Sequence, residues 1–347
     1  MNFYTKEHLF YCGVDLHARS MYICVLDQSG QILLHRNVPA DPERFLDVIS
    51  PYRQDIVVCA ECMFSWYWLA DLCAQESIPF VLGHALYMRA IHGGKAKNDK
   101  IDSGKIAALL RGGMIPQAYV YPAPMRSTRD LLRRRNYLVR KRADLLSHIQ
   151  NTNSQYNLPE FGKKITCRSH RTGVVEHFPD PNIQLSIKTN LELIDHYDKL
   201  INALELFVLN NARGHDPGAL YLLQTAPGIG KILSLVILYE IGDIDRFPSV
   251  GNFVSYARLV ACAKESAGKK QGTSGRKIGN MHLKWAFSEA AVLFLRKNPQ
   301  GMKYKKRLEQ KYGKSKALSI LAHRLGRATY YVLRRQQPFD MKRFLSH

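Results

Sequence analysis

The sequence predicts an α/β domain at the N-terminus followed by a mostly helical remainder. Two observations predict it. Apolar runs at residues 10–15, 21–26, 32–35, 56–61 and 79–82 have strand length and strand composition, and the later ones alternate with helical patterns. Charge divides at the same place. The chain has 347 residues with 50 Lys/Arg and 29 Asp/Glu; residues 1–105 hold 10 and 12 of these, leaving 40 and 17 to the rest.

The elements follow in order. After strands 10–15 and 21–26, Asp27-Gln28-Ser29-Gly30-Gln31 has hairpin-turn composition and leads into strand 32–35. Asp41 is placed to cap a helix with Pro42 at its first position. Strand 56–61, a helix over 66–75, strand 79–82 and a helix from about Asp99 to Leu110 complete the segment. Three strands, a helix, then alternating strand and helix is the ribonuclease H-like order.

Pro116, Pro122 and Pro124 break the chain, and the pattern becomes one long cationic helix from Arg126 to about Asn153. Leu131, Leu138, Ala143 or Leu145, and Ile149 recur at near-heptad intervals, as in a helical hairpin or coiled coil. A Gly/Pro/His-containing stretch (158–183) interrupts it. A second helix over 184–212 is expected to place Leu191, Ile194, Tyr197, Leu200 and Leu204 on one face. Three domains are expected: 1–125, 126–213 and 214–347.

In the last of these, residues 222–231 followed by 232–241 have helix–hairpin–helix character. The Gly228-Ile229-Gly230 turn ahead of Lys231 exposes backbone N–H groups at a helix N-terminus, where a phosphate docks. The segment lacks the spacing of a nucleotide P-loop, which excludes that mode of ATP binding.

A confined cationic excess (net charge +21 overall, pI near 9.7) is the footprint of a polyanion partner. Residues 126–142 carry eight Arg/Lys and one Asp. A solvated coiled-coil face wants mixed charges, so Arg133, Arg134, Arg135, Arg140, Lys141 and Arg142 are candidate nucleic-acid contacts. No apolar run approaches the ~20 residues that span a bilayer, so no membrane partner is expected. The first residues do not read as a signal peptide. The seven cysteines lack zinc-site or disulfide spacing despite Cys59 and Cys62, as in a reducing cytoplasm.

Four acids stand out. Asp15 ends the first strand and Glu61 a later one, while Asp99 and Asp102 lie three apart on a helix. Period-two alternation puts Tyr11, Gly13 and Asp15 on one strand face. Asp99, Asp102, Ile106 and Leu109 share one helical stripe. Glu61 closes a run apolar on both faces, so a lone acid there must be paired or metal-bound. Hard oxygen donors in this arrangement suit Mg²⁺, with Mn²⁺ as the alternative. Paired metals ~3.5–4 Å apart can stabilise the attacking and leaving oxygens of a phosphoryl transfer. The bland alternative is that Asp99 and Asp102 are surface charges among Lys95, Lys97, Lys100 and Lys105. His17 reads as an exposed or supporting histidine, not as a ligand.

Taken together, Gly13-Val14-Asp15-Leu16-His17, Ala60-Glu61 and Lys97-Asn98-Asp99-Lys100-Ile101-Asp102 resemble the Asp-Glu-Asp-Asp signature of the IS110 family of insertion-sequence transposases. Residues 225–230, 253–259, 265–272, 277–280 and 284–291 look most like its IS1111 branch. The resemblance implies a RuvC-like N-terminal domain, a coiled coil, and a C-terminal transposase domain with a nucleophilic serine. It makes Asp15, Glu61, Asp99 and Asp102 the metal ligands. Ser266 falls where the family places its serine, although Ala267 stands between it and the Gly that often follows directly; Ser274 is the second candidate.

A serine attacking phosphorus keeps the phosphodiester energy in a phosphoserine ester, so a 3′-hydroxyl of another strand can reseal the break. Lys264, Lys269, Lys270, Arg276 and Lys277 surround both serines in sequence and offer phosphate-backbone contacts. The resemblance implies donor and target DNA as substrates, and a non-coding bridge RNA (seekRNA in this branch) as guide. It also implies a homodimer or homotetramer working at the prokaryotic nucleoid in the cytoplasm. Two other readings stay open. A metal-dependent junction-resolving nuclease would use the same acids with water as nucleophile, and a non-catalytic nucleic-acid scaffold would make the acids coincidental.

Overall fold

The computed structural model describes residues 2–91, 98–211, 216–260, 262–274 and 278–346. For residues 90, 262–265, 270, 273 and 274 only the backbone is described. The chain forms two compact units, Met1–Ala123 and Pro124–His347.

The first unit is built on a five-stranded sheet of order β3-β2-β1-β4-β5. Its strands are β1 (Phe10–Leu16), β2 (Ser20–Asp27), β3 (Ile32–Pro39), β4 (Ile56–Glu61) and β5 (Phe80–Gly83). β1 to β3 form an antiparallel meander, and β4 and β5 add in parallel beside β1. Helices α1 (Pro42–Ile49), α2 (Trp66–Gln75), α3 (Ala85–Ile91) and α4 (Asp99–Arg111) cover the sheet. Asp41 caps α1 by accepting from the Arg44 N–H, and Pro42 stands in its first turn, as the sequence indicates. α3 was not expected from sequence.

Alternation along β1 sorts the two faces. Cys12, Val14 and Leu16 join Phe45, Ile49, Leu69 and Cys73 in the core under α1 and α2. Tyr11, together with Val57 and Cys59 of β4, packs against Ile106, Ala107, Leu109 and Leu110 of α4. Buried hydrophobic side chains on both faces explain why β4 reads as an unbroken apolar run.

Gly13 decides how close α4 comes. A Cβ there would lie 2.4 Å from both the Ala107 N and the Ser103 O, which are helix backbone and have no rotamer with which to yield. Gly13→Ala is therefore expected to push α4 off β1, destabilising the first unit by about 1–3 kcal/mol, the usual cost of overpacking. Gly104→Ala on the same helix meets only the His35 ring, at 3.7 Å. It should be neutral or stabilising, since Ala outranks Gly in a helix. Thermal melts of both variants check this; equal melting temperatures would refute the close-approach argument.

The second unit begins with α5 (Ala123–Gln155) and α6 (Pro181–Asn211). They run antiparallel, as their cross-links show: Arg135 to Glu205, Arg142 to Asp198 and His148 to Asn190. Leu132, Leu138, Leu146 and Ile149 are buried on α5, so Leu131 is only partly buried and Leu146 takes the place expected of Ala143 or Leu145. On α6 the buried side chains are Ile187, Leu191, Ile194, Ile201 and Val208, while Leu200 is exposed. A face chosen from seven-residue spacing drifts around a helix of 3.6 residues per turn. The intervening segment is more than an interruption: Ile165, Val174 and Phe178 pack with Ile149, Ile187 and Ile194 in a core of their own. The buried Arg171 ties this core to Asp195 and Asp198 of α6.

The remaining helices are α7 (Pro217–Gln224), α8 (Lys231–Ile241), α9 (Val250–Tyr256), α10 (Met281–Phe294), α11 (Pro299–Tyr312), α12 (Lys314–Arg335) and α13 (Met341–Leu345). α8 is buried from Leu233 to Ile241 and lies in the middle of the largest core. Between α9 and α10 comes a two-stranded antiparallel hairpin, β6 (Cys262–Ser266) and β7 (Lys269–Ser274). Among the described residues no helix is long and apolar enough to cross a membrane.

Candidate active site

Asp15 sits near the end of β1, on the face covered by α4. Asn98 caps α4 by accepting from the Ile101 N–H at 2.8 Å, which places Asp99 and Asp102 in the first turn, where the helix dipole favours acids. His35 of β3 holds that turn from the side: its Nε2 donates to the Lys100 carbonyl at 2.8 Å and lies 3.1 Å from Ser103 Oγ. With Gly13 admitting the helix, the aspartates of α4 arrive beside Asp15.

The meeting is close. Asp15, His17 and Asp99 each offer a ligand atom, and the three atoms lie within 4.8 Å of one another. His17 Nε2 is 3.5 Å from Asp15 Oδ2 and 3.4 Å from Asp99 Oδ1. Burial raises the Asp15 carboxyl above its ordinary range; the charges of Asp99 and Asp102 raise it further, and His17 opposes them. Asp102 carries Lys105 at 3.7 Å. Glu61 ends β4 one residue beyond the Val14–Ala60 pair, so it stands at the same end of the adjacent strand as Asp15. It is half-buried, and after burial itself its charge is the main reason the Cys59 thiol is pushed up.

The sequence thus brings Asp15 and Asp99 into one cluster, with Asp102 within electrostatic range and Glu61 on the neighbouring strand end. His17, read from the sequence as an exposed or supporting histidine, is exposed and lies between two aspartates. The donor set fits a divalent cation: hard carboxylate oxygens plus one imidazole, gathered where like charges disfavour one another. Lys95 and Lys97, read beside these acids, lie outside the described residues.

Ser266 is the last residue of β6, exposed at the tip of the hairpin and paired with Lys269. Its context reads as a Gly/Lys-rich loop in sequence, and the structure corrects this to a strand end. Ala267 and Gly268 make the turn, both with positive φ (49° and 74°), as a two-residue hairpin of this hand requires. Ala267, which separates Ser266 from the glycine, therefore occupies a strained left-handed position. Lys269 is exposed beside it. Ser274 ends β7, and of Lys264, Lys270 and Ser274 only the backbone is described; Arg276 and Lys277 lie outside the described residues.

Three of the six expected α5 contacts, Arg133, Arg135 and Arg142, hold carboxylates of other helices, and Lys141 pairs with Asp144 on its own helix. Glu240 of α8 is buried, with its side chain 3% exposed. Arg133 donates to it through Nε (2.6 Å) and Nη2 (2.9 Å), and Arg129 through Nε (3.1 Å). Asn280 adds an amide N–H at 2.7 Å while its own oxygen caps α10 by accepting from the His282 and Leu283 N–H groups. Arg135 and Arg142 hold Glu205 and Asp198 of α6. Arg134, Arg140 and Lys141 are exposed. Gly228 also differs from expectation. At φ +85° its Cα faces α10, where a Cβ would meet Phe294 N at 2.5 Å and Ala290 O at 2.6 Å, so this glycine seats the α7–α8 turn. Gly230 and Lys231 remain exposed.

Comparison with known proteins settles the family. A model for DEDD-type transposases of IS110 elements matches residues 12–157. A second, described as "Transposase IS116/IS110/IS902 family", matches residues 220–306. The chain belongs to the IS110 family of transposases. The transposase for insertion sequence element IS1111A of Coxiella burnetii is 22% identical over 340 residues, 94% of this chain and 90% of that protein. Pilin gene-inverting proteins of Moraxella bovis and Moraxella lacunata are each 36% identical over 126 residues, 35% of this chain. That match spans only 38% of the length of either Moraxella protein. For an IS110-family chain, the first matched segment contains all four acids and the second contains Ser266, Ser274 and Asn280. A DEDD-type domain implies dependence on a divalent metal.

Proposed function

We propose that this IS110-family protein is a DNA transposase that excises and inserts an insertion sequence by serine transesterification. The observation that carries the reading is the cluster of Asp15, His17 and Asp99 within 4.8 Å at the end of β1. Supporting it, the sheet order 3-2-1-4-5, antiparallel and then parallel, is that of a ribonuclease H-like, RuvC-type domain. Asp15, Asp99, Asp102 and Glu61 would hold Mg²⁺. When bound, the metal supplies charge stabilisation to phosphate oxygens as bonds are made and broken.

The chain's own residues do the rest. The Ser266 hydroxyl forms a bond to phosphorus and gives up its proton as the bond from phosphorus to the 3′-oxygen breaks. That oxygen leaves and takes up a proton. The strand stays attached as a phosphoserine ester, and a 3′-hydroxyl of another strand reverses the exchange to join it. An exposed position at a hairpin tip suits this role, because a nucleophile must reach a backbone phosphate. Lys269 offers charge to that phosphate, and Arg134, Arg140, Lys141, Gly230 and Lys231 supply backbone contacts elsewhere. A non-coding guide RNA, and a dimer or tetramer to exchange two duplexes, complete the proposal and rest on family resemblance.

Trapping the protein–DNA adduct tests it. Wild-type protein incubated with its element ends and Mg²⁺ should yield a denaturation-resistant adduct, and Ser266→Ala should yield none. Cleavage without any adduct would identify the junction-resolving nuclease instead, and an adduct lost only in Ser274→Ala would move the nucleophile to β7.

A further inference from the structure

Beyond residue 306 the chain builds a feature that the transposase reading does not use. The C-terminal half of α12, the turn after it and α13 line an open cavity of about 620 Å³. Arg324, Arg327, Arg335 and Arg343 line it together with Tyr331 and Phe339. The pocket's one carboxylate, Asp340, caps α13 by accepting from the Arg343 N–H at 3.1 Å. Among the described residues none of the four arginines makes a salt bridge, which contrasts with Arg129, Arg133, Arg135 and Arg142 of α5.

The arginines differ in their surroundings. Arg324 is fixed at the floor: it donates to the Tyr304 hydroxyl and stacks over the Phe344 ring at 5.4 Å. Arg335 lies over the Tyr331 ring at 4.7 Å. Arg327 and Arg343 are exposed. The turn is itself anchored, since the Phe339 N–H donates to Thr225 Oγ1 at 2.9 Å. Four uncompensated guanidinium groups around two aromatic rings, in a fixed concavity, make a site for an anion that carries a flat ring.

We infer that this pocket binds one unstacked nucleotide of a single-stranded nucleic acid, its phosphate on Arg327 and Arg343 and its base against Tyr331. Several features favour this occupant. A cavity of about 620 Å³ is larger than inorganic phosphate needs and lies in the usual range for ligands of nucleotide size. Duplex bases are stacked away from side chains, so aromatic platforms serve single strands. α11, whose Tyr304 accepts from Arg324, carries the exposed Lys303, Lys306, Arg307 and Lys311, a cationic approach for a continuing backbone. The pocket contains none of the proposed catalytic groups, so failure of the Ser266 adduct would leave it standing.

Fluorescence anisotropy with labelled five-residue oligo(dT) and oligo(rU) on the full chain tests the inference. Arg327→Gln with Arg343→Gln should raise Kd at least about tenfold and flatten the log–log salt slope by about 1.4, the loss of two single-strand phosphate contacts. Tyr331→Leu should raise Kd by about five- to tenfold at unchanged slope, and Tyr331→Phe should keep wild-type affinity. Lys314→Gln with Lys316→Gln, exposed on the same helix, should change Kd less than about twofold, as general surface charge does. Tighter binding of oligo(rU) would assign the pocket to RNA through its 2′-hydroxyls, and tighter binding of oligo(dT) to DNA. An equal loss in the lysine pair would reduce the pocket to general cationic surface and overturn the site. So would dTMP competing as well as the oligonucleotide, which would make the ligand a free nucleotide.

Discussion

Asp15→Asn combined with Asp102→Asn is expected to abolish strand cleavage, by on the order of 10³-fold or more, while nucleic-acid binding persists. Charge stabilisation by a bound divalent ion is worth several kcal/mol in a phosphoryl transfer, and each 1.4 kcal/mol is a factor of ten in rate. Folding should move the other way. Asp15 is half-buried beside Asp99 and Asp102, and those charges oppose its ionisation. Asn at position 15 keeps the shape and removes the repulsion, so the variant should melt no lower than wild type without divalent ions. Added Mg²⁺ should raise the wild-type melting temperature and leave the double variant unmoved, as binding linkage requires. Cleavage assays and melts with and without Mg²⁺ check both parts. Normal cleavage by the double variant would rule the site out, and a collapse in melting temperature would make the acids structural.

What the sequence revealed, and what it hid, follows from where the information lies. β1, β4 and α4 were legible because burial is written into neighbouring residues: period two sorts the faces of β1, two buried faces make β4 an unbroken apolar run, and period 3.6 marks the packing stripe of α4. The same periods put Asp15 on the face that α4 covers and Asp99 on the stripe of Ile106 and Leu109, with Asp99 itself exposed at the start of the helix. His17 follows the strand, where alternation no longer applies, and its exposed place beside the acids agrees with its reading as a supporting histidine. The hairpin of Ser266 escaped because Lys, Gln and Gly do not alternate in hydropathy, and Ala267-Gly268 is not a familiar turn pair. The arginines of α5 were misread for a different reason. Their carboxylates lie 107 residues away for Arg133 and 70 for Arg135, so a helix that is cationic in sequence is partly neutralised in space.

That neutralisation yields the largest expected effect on stability. Glu240→Gln should destabilise the second unit by about 3–5 kcal/mol, the usual cost of stranding one side of a buried ion pair. The reason is Arg129, itself buried, which with Arg133 would face an amide in place of a carboxylate. The two arginines and the Asn280 amide hold the Glu240 carboxyl at about 2, against burial, which alone would raise it. Since a depressed folded-state pKa stabilises above the unfolded value, this contribution of about 3 kcal/mol is complete above pH 4.5 and is lost as pH falls towards 2. His282 works in the same direction at milder pH. Burial lowers it to about 4, so the unfolded chain takes up its proton first and stability declines from pH 6.5 downwards. Wild-type protein should therefore lose stability in two acid steps, and Glu240→Gln should flatten the lower one. Denaturant unfolding across pH 2 to 7, with amide exchange read on α5, α8 and α10, measures this. Because Asn280 also caps α10, exchange in that helix should rise with exchange in α8; protection unchanged in both would show that the network does not hold them together. Replacing Glu240, Arg129 and Arg133 together by Leu, Met and Met should recover much of the loss, since an apolar set of similar volume leaves no charge unpaired. The pairing then specifies which helices meet more than it adds net stability, and recovery in the triple variant is the result that separates those two roles.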